Sequence, residues 1–399
     1  MKKILYITFK SPYPDVSGYP IRALNIGKAL ARKYEVDLLF LSEDVVSRPD
    51  LRELHKHFHK VIPFYFPRTR FLFNGLLGFL SQRPLQVEYY YNHRVREWVK
   101  EHYRQYDLLF CSTIRTIEYV RGLKKKKAVD LIDDLTLSYG EFYPYAPLHW
   151  KIAYFIDWLR VKRYHRLVLS QFKKIFITSH FDANHLNSGL ESPLSNITVL
   201  PNGVREELLF QSGDSPSFSA GTVPAKTIVI FGSMNYLPNR DGALYFARDI
   251  FTELRQRFPS LELEIIGRHP PRDFKQMAAQ GVHAFGFVED PYVHIRNAAL
   301  VISPLRAGAG IPNKILEAMA LKKANVISPV AARGLEGEDG THYLVAKNKK
   351  EWIDKISTLL NDSSLRRHLG ENAHGLVQGK YRWNTIGDRL LKEISQILD

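Results

Sequence analysis

A glycine-rich passage between a strand pattern and a helix pattern holds the residues whose types and spacing most favour ligand binding. It reads Pro304-Leu-Arg-Ala-Gly-Ala-Gly-Ile-Pro-Asn-Lys-Ile-Leu-Glu-Ala-Met-Ala. Gly308 and Gly310 would let the backbone approach a ligand closely, and a helix that begins near Pro312 offers free N–H groups to an anion. Lys314 adds a full positive charge in the first turn. The passage therefore predicts a phosphate site.

Glu317 lies three residues after Lys314, on the same face of the predicted helix. A carboxylate at this point does not favour phosphate, but it can accept paired hydrogen bonds from the two hydroxyls of a ribose. The two residues together are thus candidates for holding a nucleoside diphosphate. The alternative is a tight turn before a buried helix, with an ion pair between these two side chains.

Two adjacent carboxylates, Asp133 and Asp134, end a second strand pattern that runs from Ala128 to Ile132. Open α/β sheets bind ligands at the carboxyl ends of their strands, and a general base must reach the proton that it takes. Either aspartate is a candidate for orienting an acceptor hydroxyl or taking its proton. The alternative is that Asp134 or Thr136 caps a helix, and a pair of acids can also bind Mg²⁺.

Other kinds of site are excluded by composition and spacing. Cys111 is the only cysteine, which rules out an intrachain disulfide and a thiolate zinc site. The 15 histidines show no metal-ligand spacing, and neither a Walker P-loop nor G-x-G-x-x-G occurs. We therefore expect no histidine metal site and no bound dinucleotide cofactor.

Short apolar strands that alternate with helices must position these residues, and this alternation predicts parallel sheets covered on both faces. In the first half the strand patterns are Ile4 to Thr8, Val36 to Leu41, Leu108 to Ser112, Ala128 to Ile132, Lys174 to Thr178 and Ile197 to Leu200. In the second half they are Thr227 to Phe231, Leu261 to Ile266, Val282 to Phe285, Ala299 to Ile302 and Asn325 to Ser328.

The length of 399 residues predicts two domains rather than one. The stretch from Gln211 to Ala225 is polar and rich in glycine, proline and serine, which is typical of a linker. We predict a first α/β domain at 1–205, a linker at 206–225 and a second α/β domain at 226–383. The amphipathic segment 384–399 is predicted to form a helix that returns to the first domain.

Positive charge is concentrated in the first half. Residues 1–200 hold 31 basic and 19 acidic side chains, a net charge of +12, whereas residues 201–399 hold 25 and 22, a net charge of +3. Two basic stretches also carry aromatic and aliphatic bulk, which suits the headgroup boundary of a bilayer better than the stacking of bases. The residues predicted to contact an anionic membrane or the acceptor are Arg68, Arg70, Phe71, Phe73, Arg160, Lys162 and Arg163. The alternative is a core with a solvated basic face.

Several segments, in their order along the chain, resemble GT-B glycosyltransferases of the family 4 type. They are Pro201-Asn-Gly-Val, Phe231-Gly-Ser-Met-Asn-Tyr-Leu-Pro-Asn-Arg-Asp-Gly-Ala, Leu263-Glu-Ile-Ile-Gly-Arg, Phe285-Gly-Phe-Val-Glu-Asp and Leu316-Glu-Ala-Met-Ala. The resemblance implies two Rossmann-like domains facing across a cleft and transfer of a sugar from a nucleoside diphosphate with retention of configuration. It also implies that helix dipoles and cations, rather than a metal, stabilise the departing diphosphate.

The resemblance also assigns residues. In the E-x7-E motif of that family, Glu317 matches the second glutamate, whereas Ala309 stands in place of the first. Ser233 and Met234 replace the arginine and lysine that many members have after Gly232, and Asp133 replaces a histidine. The candidates for donor binding are Gly18, Gly232, Ser233, Arg240, Arg268, Gly310, Ile311, Lys314 and Glu317.

Taken together, these observations predict a cytoplasmic glycosyltransferase attached peripherally to the inner face of the cell membrane. Its partners would be a nucleotide sugar and a glycan or polyprenyl-linked acceptor for cell-envelope polysaccharide. One alternative keeps the fold but makes the reaction epimerisation or hydrolysis of a nucleotide sugar. Another is a binding protein without catalytic activity, and nucleic acid is not an expected partner.

Overall fold

The chain forms two compact units. The computed structural model describes residues 1–15, 18–145, 148–210 and 227–399. One unit comprises Met1–Asn202 together with Asn384–Asp399, and the other comprises Gly203–Trp383. Of the predicted linker 206–225, residues Glu206–Phe210 form a short helix, and 211–225 lie outside the described residues.

The first unit is built on a sheet of parallel strands. These strands are β1 Lys3–Thr8, β2 Glu35–Ser42, β3 Lys60–Tyr65, β4 Leu108–Ser112, β5 Lys127–Ile132, β6 Lys174–Ile177 and β7 Ile197–Val199. Their order across the sheet is β3-β2-β1-β4-β5-β6-β7. The central strands are apolar and almost wholly buried, which is why their continuous apolar runs predicted them correctly. The edge strand β3 was missed because it contains Pro63 and is partly exposed.

Helices cover this sheet. They are α1 Gly18–Ala31, α2 Arg48–His55, α3 Arg68–Gly78, α4 Leu85–Tyr90, α5 His93–His102, α6 Leu135–Phe142, α7 Leu148–Val168 and α8 His180–Ser188. Short 3₁₀ turns occupy Tyr103–Gln105, Ile114–Tyr119, Tyr143–Tyr145 and Leu169–Gln171.

The second unit has its own parallel sheet, as predicted. Its strands are β8 Thr227–Phe231, β9 Glu262–Ile266, β10 Val282–Phe285, β11 Leu300–Ser303, β12 Asn325–Ile327 and β13 Leu344–Val345, in the order β10-β9-β8-β11-β12-β13. Its helices are α9 Glu206–Phe210, α10 Leu237–Tyr245, α11 Thr252–Arg257, α12 Asp273–Gln276, α13 Pro291–Asn297, α14 Asn313–Ala320, α15 Pro329–Ala332, α16 Lys349–Asn361 and α17 Ser363–Lys380. A π-helical segment, Phe246–Phe251, joins α10 to α11, and Ala278–Gln280 form a 3₁₀ turn.

The last helix, α18 Trp383–Leu398, packs on the first unit. Glu393 pairs with Lys174 at 2.5 Å, and the hydroxyls of Ser395 and Tyr34 lie 3.0 Å apart. Ile386, Leu390 and Ile394 are fully buried. Their spacing of four residues explains why the amphipathic pattern predicted this helix. No described helix combines the length and the apolar composition needed to cross a bilayer.

A buried ion pair ties the first unit together. The guanidinium of Arg22, on α1, donates to both carboxylate oxygens of Asp130, on β5, at 2.8 Å each. It also donates to the carbonyls of Leu200 and Pro201 and to Asn202 Oδ1, each at 3.0 Å. Arg22 and Asp130 are each only 1% exposed. All the donors of the guanidinium are thus used inside the protein, so the pair joins α1, β5 and the end of the β7 segment.

We predict that Arg22→Leu lowers the free energy of unfolding of the first unit by about 3–5 kcal/mol, because Asp130 is left buried and unpaired. Urea unfolding followed by circular dichroism measures the change. Arg32→Leu is the matched control, since Arg32 pairs with Asp388 on the surface at 2.6 Å and should contribute about 1 kcal/mol or less. Equal midpoints for the two variants would contradict this assignment.

Candidate functional site

The glycine-rich loop lies at the carboxyl edge of the second sheet, between β11 and α14. The helix begins at Asn313, with Pro312 as an extended N-cap that provides no side-chain acceptor. Gly310 has a φ of 73°, in the left-handed region that favours glycine. The Gly308 carbonyl accepts a hydrogen bond from the Arg333 guanidinium. The first turn of α14 therefore presents backbone N–H groups without a side-chain cap, as a phosphate site requires.

Lys314 is a half-buried cation in that first turn. Its Nζ donates to Asn239 Oδ1 at 2.9 Å, and the Asn239 amide in turn donates to the Ser233 carbonyl at 3.0 Å. Burial lowers the pKa of Lys314 to about 7. Within the described part of the chain, Lys314 takes part in none of the ion pairs. Its charge is thus compensated only by a neutral amide, so an anionic ligand would stabilise it.

Gly232 lies beside this lysine, at the end of β8. A Cβ atom at Gly232 would lie 2.8 Å from Asn239 Nδ2 and 3.7 Å from Lys314 Cδ. A Cβ atom at Gly267, the glycine that follows β9, would lie 1.9 Å from the Gly232 carbonyl oxygen. These two glycines therefore let neighbouring strand ends approach each other closely, which explains their places in the sequence motifs.

Glu317 lies one turn further along α14 and does not pair with Lys314. Its carboxylate is hydrogen bonded to the Tyr292 hydroxyl and senses the charge of Arg205. Burial raises the pKa of Glu317 to about 7, although Arg205 and Tyr292 both act to lower it. The ion pair considered as an alternative is thus not formed, and each of the two charged residues has a different partner.

The remaining residues predicted to bind the donor make other contacts than Lys314 and Glu317 do. Ser233 is exposed and contributes its backbone carbonyl. Arg240 is exposed on α10, where its neighbour Asn239 makes the contact with Lys314. Arg268 is exposed, with its guanidinium 4.9 Å from the centre of the Phe287 ring. Ile311 is buried in the apolar core. Gly18 begins α1 in the first unit, and Ser17 beside it lies outside the described residues.

Sequence reasoning missed three participants in the second unit, namely Asn239, Tyr292 and Arg205. Asn239 lies in the motif that follows β8, where the charged Arg240 beside it gives the stronger sequence signal. Tyr292 lies two residues after Asp290, which caps α13 by accepting from the Tyr292 N–H at 2.9 Å, so a helix-cap signal was present. Arg306, in the glycine-rich passage, donates to both carboxylate oxygens of Asp241 at 2.6 and 2.7 Å.

The aspartate pair of the first unit divides into two different environments. Asp134 is fully buried and caps α6, accepting from Thr136 N at 2.9 Å, and its Oδ2 lies 2.5 Å from His185 Nδ1. Although burial acts to raise the pKa of Asp134, its hydrogen bond with His185 and the nearby His165 hold it below the ordinary value. Asp134 is therefore an ionised structural cap, which is the alternative that the sequence left open.

Asp133 is partly exposed and has no such partners. Burial and the neighbouring charge of Asp182 raise its pKa to about 7. Asp133 follows Ile132, whose φ of 74° is rare for a β-branched residue. A carboxylate that exchanges its proton near neutral pH suits general-base work, so Asp133 remains the candidate at this edge.

One described group could offer a metal three ligand atoms within 4.8 Å of one another, formed by Glu35, Asp37 and His59. Lys3 Nζ lies 2.7 Å from Glu35 Oε1, and the Tyr106 hydroxyl donates to Asp37 at 2.9 Å. These carboxylates already have a cation and a donor, so we assign them no ligand.

The basic and aromatic candidates lie mainly on α3 and α7. The prediction that Phe71 contacts a membrane is wrong, because its side chain is 3% exposed and packs in the core. Phe73 is 51% exposed, and Arg68, Arg70 and Arg163 are also exposed. Arg160 donates to the carbonyls of Gly78 and Phe79 at 2.9 Å, and Lys162 Nζ lies 3.6 Å from the centre of the Trp158 ring.

The two parallel α/β units define a protein of the GT-B fold, a class that similar solved structures share. Sucrose-phosphate synthase from Thermosynechococcus elongatus superposes with a TM-score of 0.70 at 16% identity, covering 100% of this chain and 99% of that one. Anabaena HepE in complex with UDP and glucose superposes with a TM-score of 0.64 at 15% identity, covering 99% and 100%.

Comparison of sequences gives a more specific match for part of the chain. Residues 225–362 match the family model described as glycosyl transferases group 1. The chain is also 22% identical to an uncharacterized 44.6 kDa protein in the cps region of Klebsiella pneumoniae, over 98% of this chain and 100% of that one. The matched domain and the GT-B neighbours together support a GT-B glycosyltransferase.

We predict that Lys314→Met stabilises the ligand-free protein by about 1 kcal/mol or more at pH 6.5, since a pKa difference of one corresponds to about 1.4 kcal/mol. The pKa of Lys314 is lower in the folded protein than in the unfolded chain, so the folded state is penalised below about pH 7. This penalty disappears as the pH rises toward the unfolded value, and the benefit of the variant should shrink by pH 9.5.

Urea unfolding at the two pH values measures the effect. Lys275→Met, at an exposed lysine on α12, is the control and should change stability little at either pH. If Lys314→Met is less stable than wild type at pH 6.5, the charged lysine stabilises the ligand-free fold, and the claim that its burial is unfavourable without an anion is contradicted.

Proposed function

We propose that this protein transfers a hexose from a nucleoside diphosphate sugar to a hydroxyl of a glycan or polyprenyl-linked acceptor, with retention of configuration. The observation that carries the proposal is a half-buried lysine, without a described ionic partner, in the uncapped first turn of α14. The match to glycosyl transferases group 1 over residues 225–362 supports the reaction class. The complex of Anabaena HepE with UDP and glucose supports a nucleotide sugar as donor.

The donor would be held by two residues of one helix. Lys314 and the N–H groups of the first turn take the diphosphate, and the bound anion keeps the lysine protonated. Glu317, in its ionised form, accepts hydrogen bonds from the two ribose hydroxyls, and the charge of Arg205 favours that form. Gly232 lacks the side chain that would displace Asn239 from its contact with Lys314.

The reaction breaks the bond between the anomeric carbon and the diphosphate oxygen and forms one to the acceptor oxygen. Negative charge develops on the leaving diphosphate, where Lys314 and the α14 N-terminus compensate it without needing a metal. The proton of the acceptor hydroxyl goes to the Asp133 carboxylate. A pKa of about 7 allows Asp133 to hold that proton and release it to solvent.

The biological setting that we propose is polysaccharide synthesis at the cytoplasmic face of the cell envelope. The relative from Klebsiella pneumoniae lies in a cps region, which supports a role in surface polysaccharide. The net charge of +12 on residues 1–200 supports attraction to an anionic surface.

The surface that would meet the membrane is formed by adjoining parts of α3 and α7. Arg160, on α7, joins the two helices through the carbonyls at the end of α3. Apolar side chains stand exposed on both helices and at Leu80, just after α3; those on the helices are Leu72, Phe73, Leu76, Leu77, Leu148, Ile152, Phe155, Ile156 and Leu159. On α7 they recur at helical spacing, so one face of the helix is apolar. Exposed Arg70 and Arg163 provide cations for lipid phosphates.

We predict that a nucleoside diphosphate such as UDP, at a hundred times its Kd, stabilises the wild-type protein by about 2.7 kcal/mol. Lys314→Ala should weaken UDP binding at least about tenfold, because a hydrogen bond to a charged group contributes about 1.5–3 kcal/mol. Glu317→Gln should weaken binding of UDP while sparing binding of inorganic pyrophosphate. Thermal-shift titrations measure all three, with Lys275→Ala as control.

Product analysis with nucleotide sugars then tests the reaction. A new glycoside supports transfer. Formation of a free sugar, or of an epimer of the nucleotide sugar, in the absence of any acceptor would instead support hydrolysis or epimerisation. An unchanged UDP affinity in both Lys314→Ala and Glu317→Gln would refute the site.

We predict that Leu76→Asp and Ile152→Asp each weaken binding to vesicles containing phosphatidylglycerol by about tenfold or more, since burying a leucine or isoleucine contributes about 1.5–3 kcal/mol. Vesicle sedimentation measures the partition coefficient. Val45→Asp is the control, because Val45 is equally apolar and 80% exposed but lies outside α3 and α7. Equal losses in all three variants would remove this surface from the proposal.

A further inference from the structure

Two cations of the first unit lie around one phenylalanine ring. Lys10 Nζ is 5.8 Å from the centre of the Phe9 ring and 5.3 Å from that of Tyr19. The Arg115 guanidinium carbon is 4.5 Å from the centre of the same Phe9 ring. Phe9 itself is buried between Tyr19 and Tyr90, with ring centres 4.1 and 4.8 Å away. Both cations therefore lie close to one ring, and Arg115 is near enough to Lys10 to act on its charge.

Neither charge is neutralised by an ion pair within the described part of this unit. Within residues 1–15, 18–145 and 148–210, neither Lys10 nor Arg115 takes part in an ion pair. Arg115 donates to the neutral Gln86 side chain, and its Nε is buried without an acceptor. Glu43 acts on Lys10 only at longer range and lies 4.0 Å from Arg68. Burial and the charge of Arg115 lower the pKa of Lys10, as expected for a cation that lacks an anion.

The chain brings these cations to the same sheet edge as Asp133. Lys10 follows β1, Arg115 follows β4 and Asp133 follows β5, and these three strands are adjacent in the sheet. Arg115 is close enough to lower the pKa of Asp133, against the larger effect of burial. Thr113, between β4 and Arg115, has a φ of 66°, an unusual conformation that turns the chain after the strand.

We propose that Lys10 and Arg115 form a subsite for a phosphate ester, and that the phosphate belongs to the acceptor. A phosphate dianion compensates both cations at once. Bound there, a phosphorylated acceptor would have its hydroxyl within the region of Asp133. The identification of the ligand as the acceptor rests on the proposed function, whereas the anion subsite does not.

Two sources of such a phosphate can be distinguished. A soluble sugar phosphate is represented by glucose 1-phosphate, and a lipid-linked diphosphate is represented by farnesyl diphosphate. Tighter binding of the second probe would support the lipid-linked acceptor, and tighter binding of the first would support a soluble one. Either result supports the subsite, provided that binding depends on Lys10 and Arg115.

The test is isothermal titration of both probes into the full-length protein and its variants. Lys10→Gln and Arg115→Gln should each raise the Kd about tenfold or more, because each removes a charge-assisted contact. Lys10→Arg and Arg115→Lys keep the charge and should retain most of the binding. Arg94→Gln and Lys124→Gln are matched controls at exposed residues of the same unit and should bind as wild type.

The donor-site variant Lys314→Ala separates this inference from the proposed function. If it abolishes UDP binding but leaves probe binding intact, the subsite is distinct from the donor site. If it abolishes both, the probes bind at the donor site and the subsite is overturned. If UDP does not bind the wild type while probe binding still depends on Lys10 and Arg115, the proposed function fails and the subsite stands. Wild-type affinity in both Lys10→Gln and Arg115→Gln would overturn the subsite.

Discussion

The parallel arrangement of strands is the constraint on which both candidate sites depend. Because every strand in such a sheet ends at the same edge, the loops that follow the strands are brought together there. In the second unit this places Gly232, Gly267 and the first turn of α14 side by side. In the first unit it places Lys10, Arg115 and Asp133 after adjacent strands. Residues far apart in the sequence thus become neighbours because the strands run parallel.

The candidate chemistry at both edges comes from side chains that burial desolvates and that form no ion pair within the described residues. Burial lowers the pKa of Lys314 to about 7 and raises the pKa values of Glu317 and Asp133 to about 7. By contrast, the structural charges are paired completely, as Arg22 is with Asp130 and Asp134 is with His185. Charged residues that stabilise the fold therefore have partners within the protein, whereas those at the candidate sites would gain a partner when a ligand binds. The reason is that a buried charge without a partner is energetically unfavourable.

Much of the fold could be predicted because buried parallel strands are continuous apolar runs. The predictions failed where that signal is weak, at the edge strand β3 with its proline and at the two-residue strand β13. The glycine-rich loop and the helix after it were predictable because glycine, proline and lysine each have a specific physical role there. Asn239 was not, since an uncharged side chain carries no signal until its neighbour is known.

The sequence by itself determined the class of fold, the glycine-rich loop that leads into α14 and the excess of positive charge in the first half, because each follows from local composition and spacing. Only the tertiary structure decided which charges are paired. It made Asp134 a buried cap and left Asp133 with a raised pKa. It also buried Phe71 and set Lys10 beside Arg115. The reason is physical: the partner of a charge and the solvent around it are set by contacts between distant segments, which spacing along the chain does not encode.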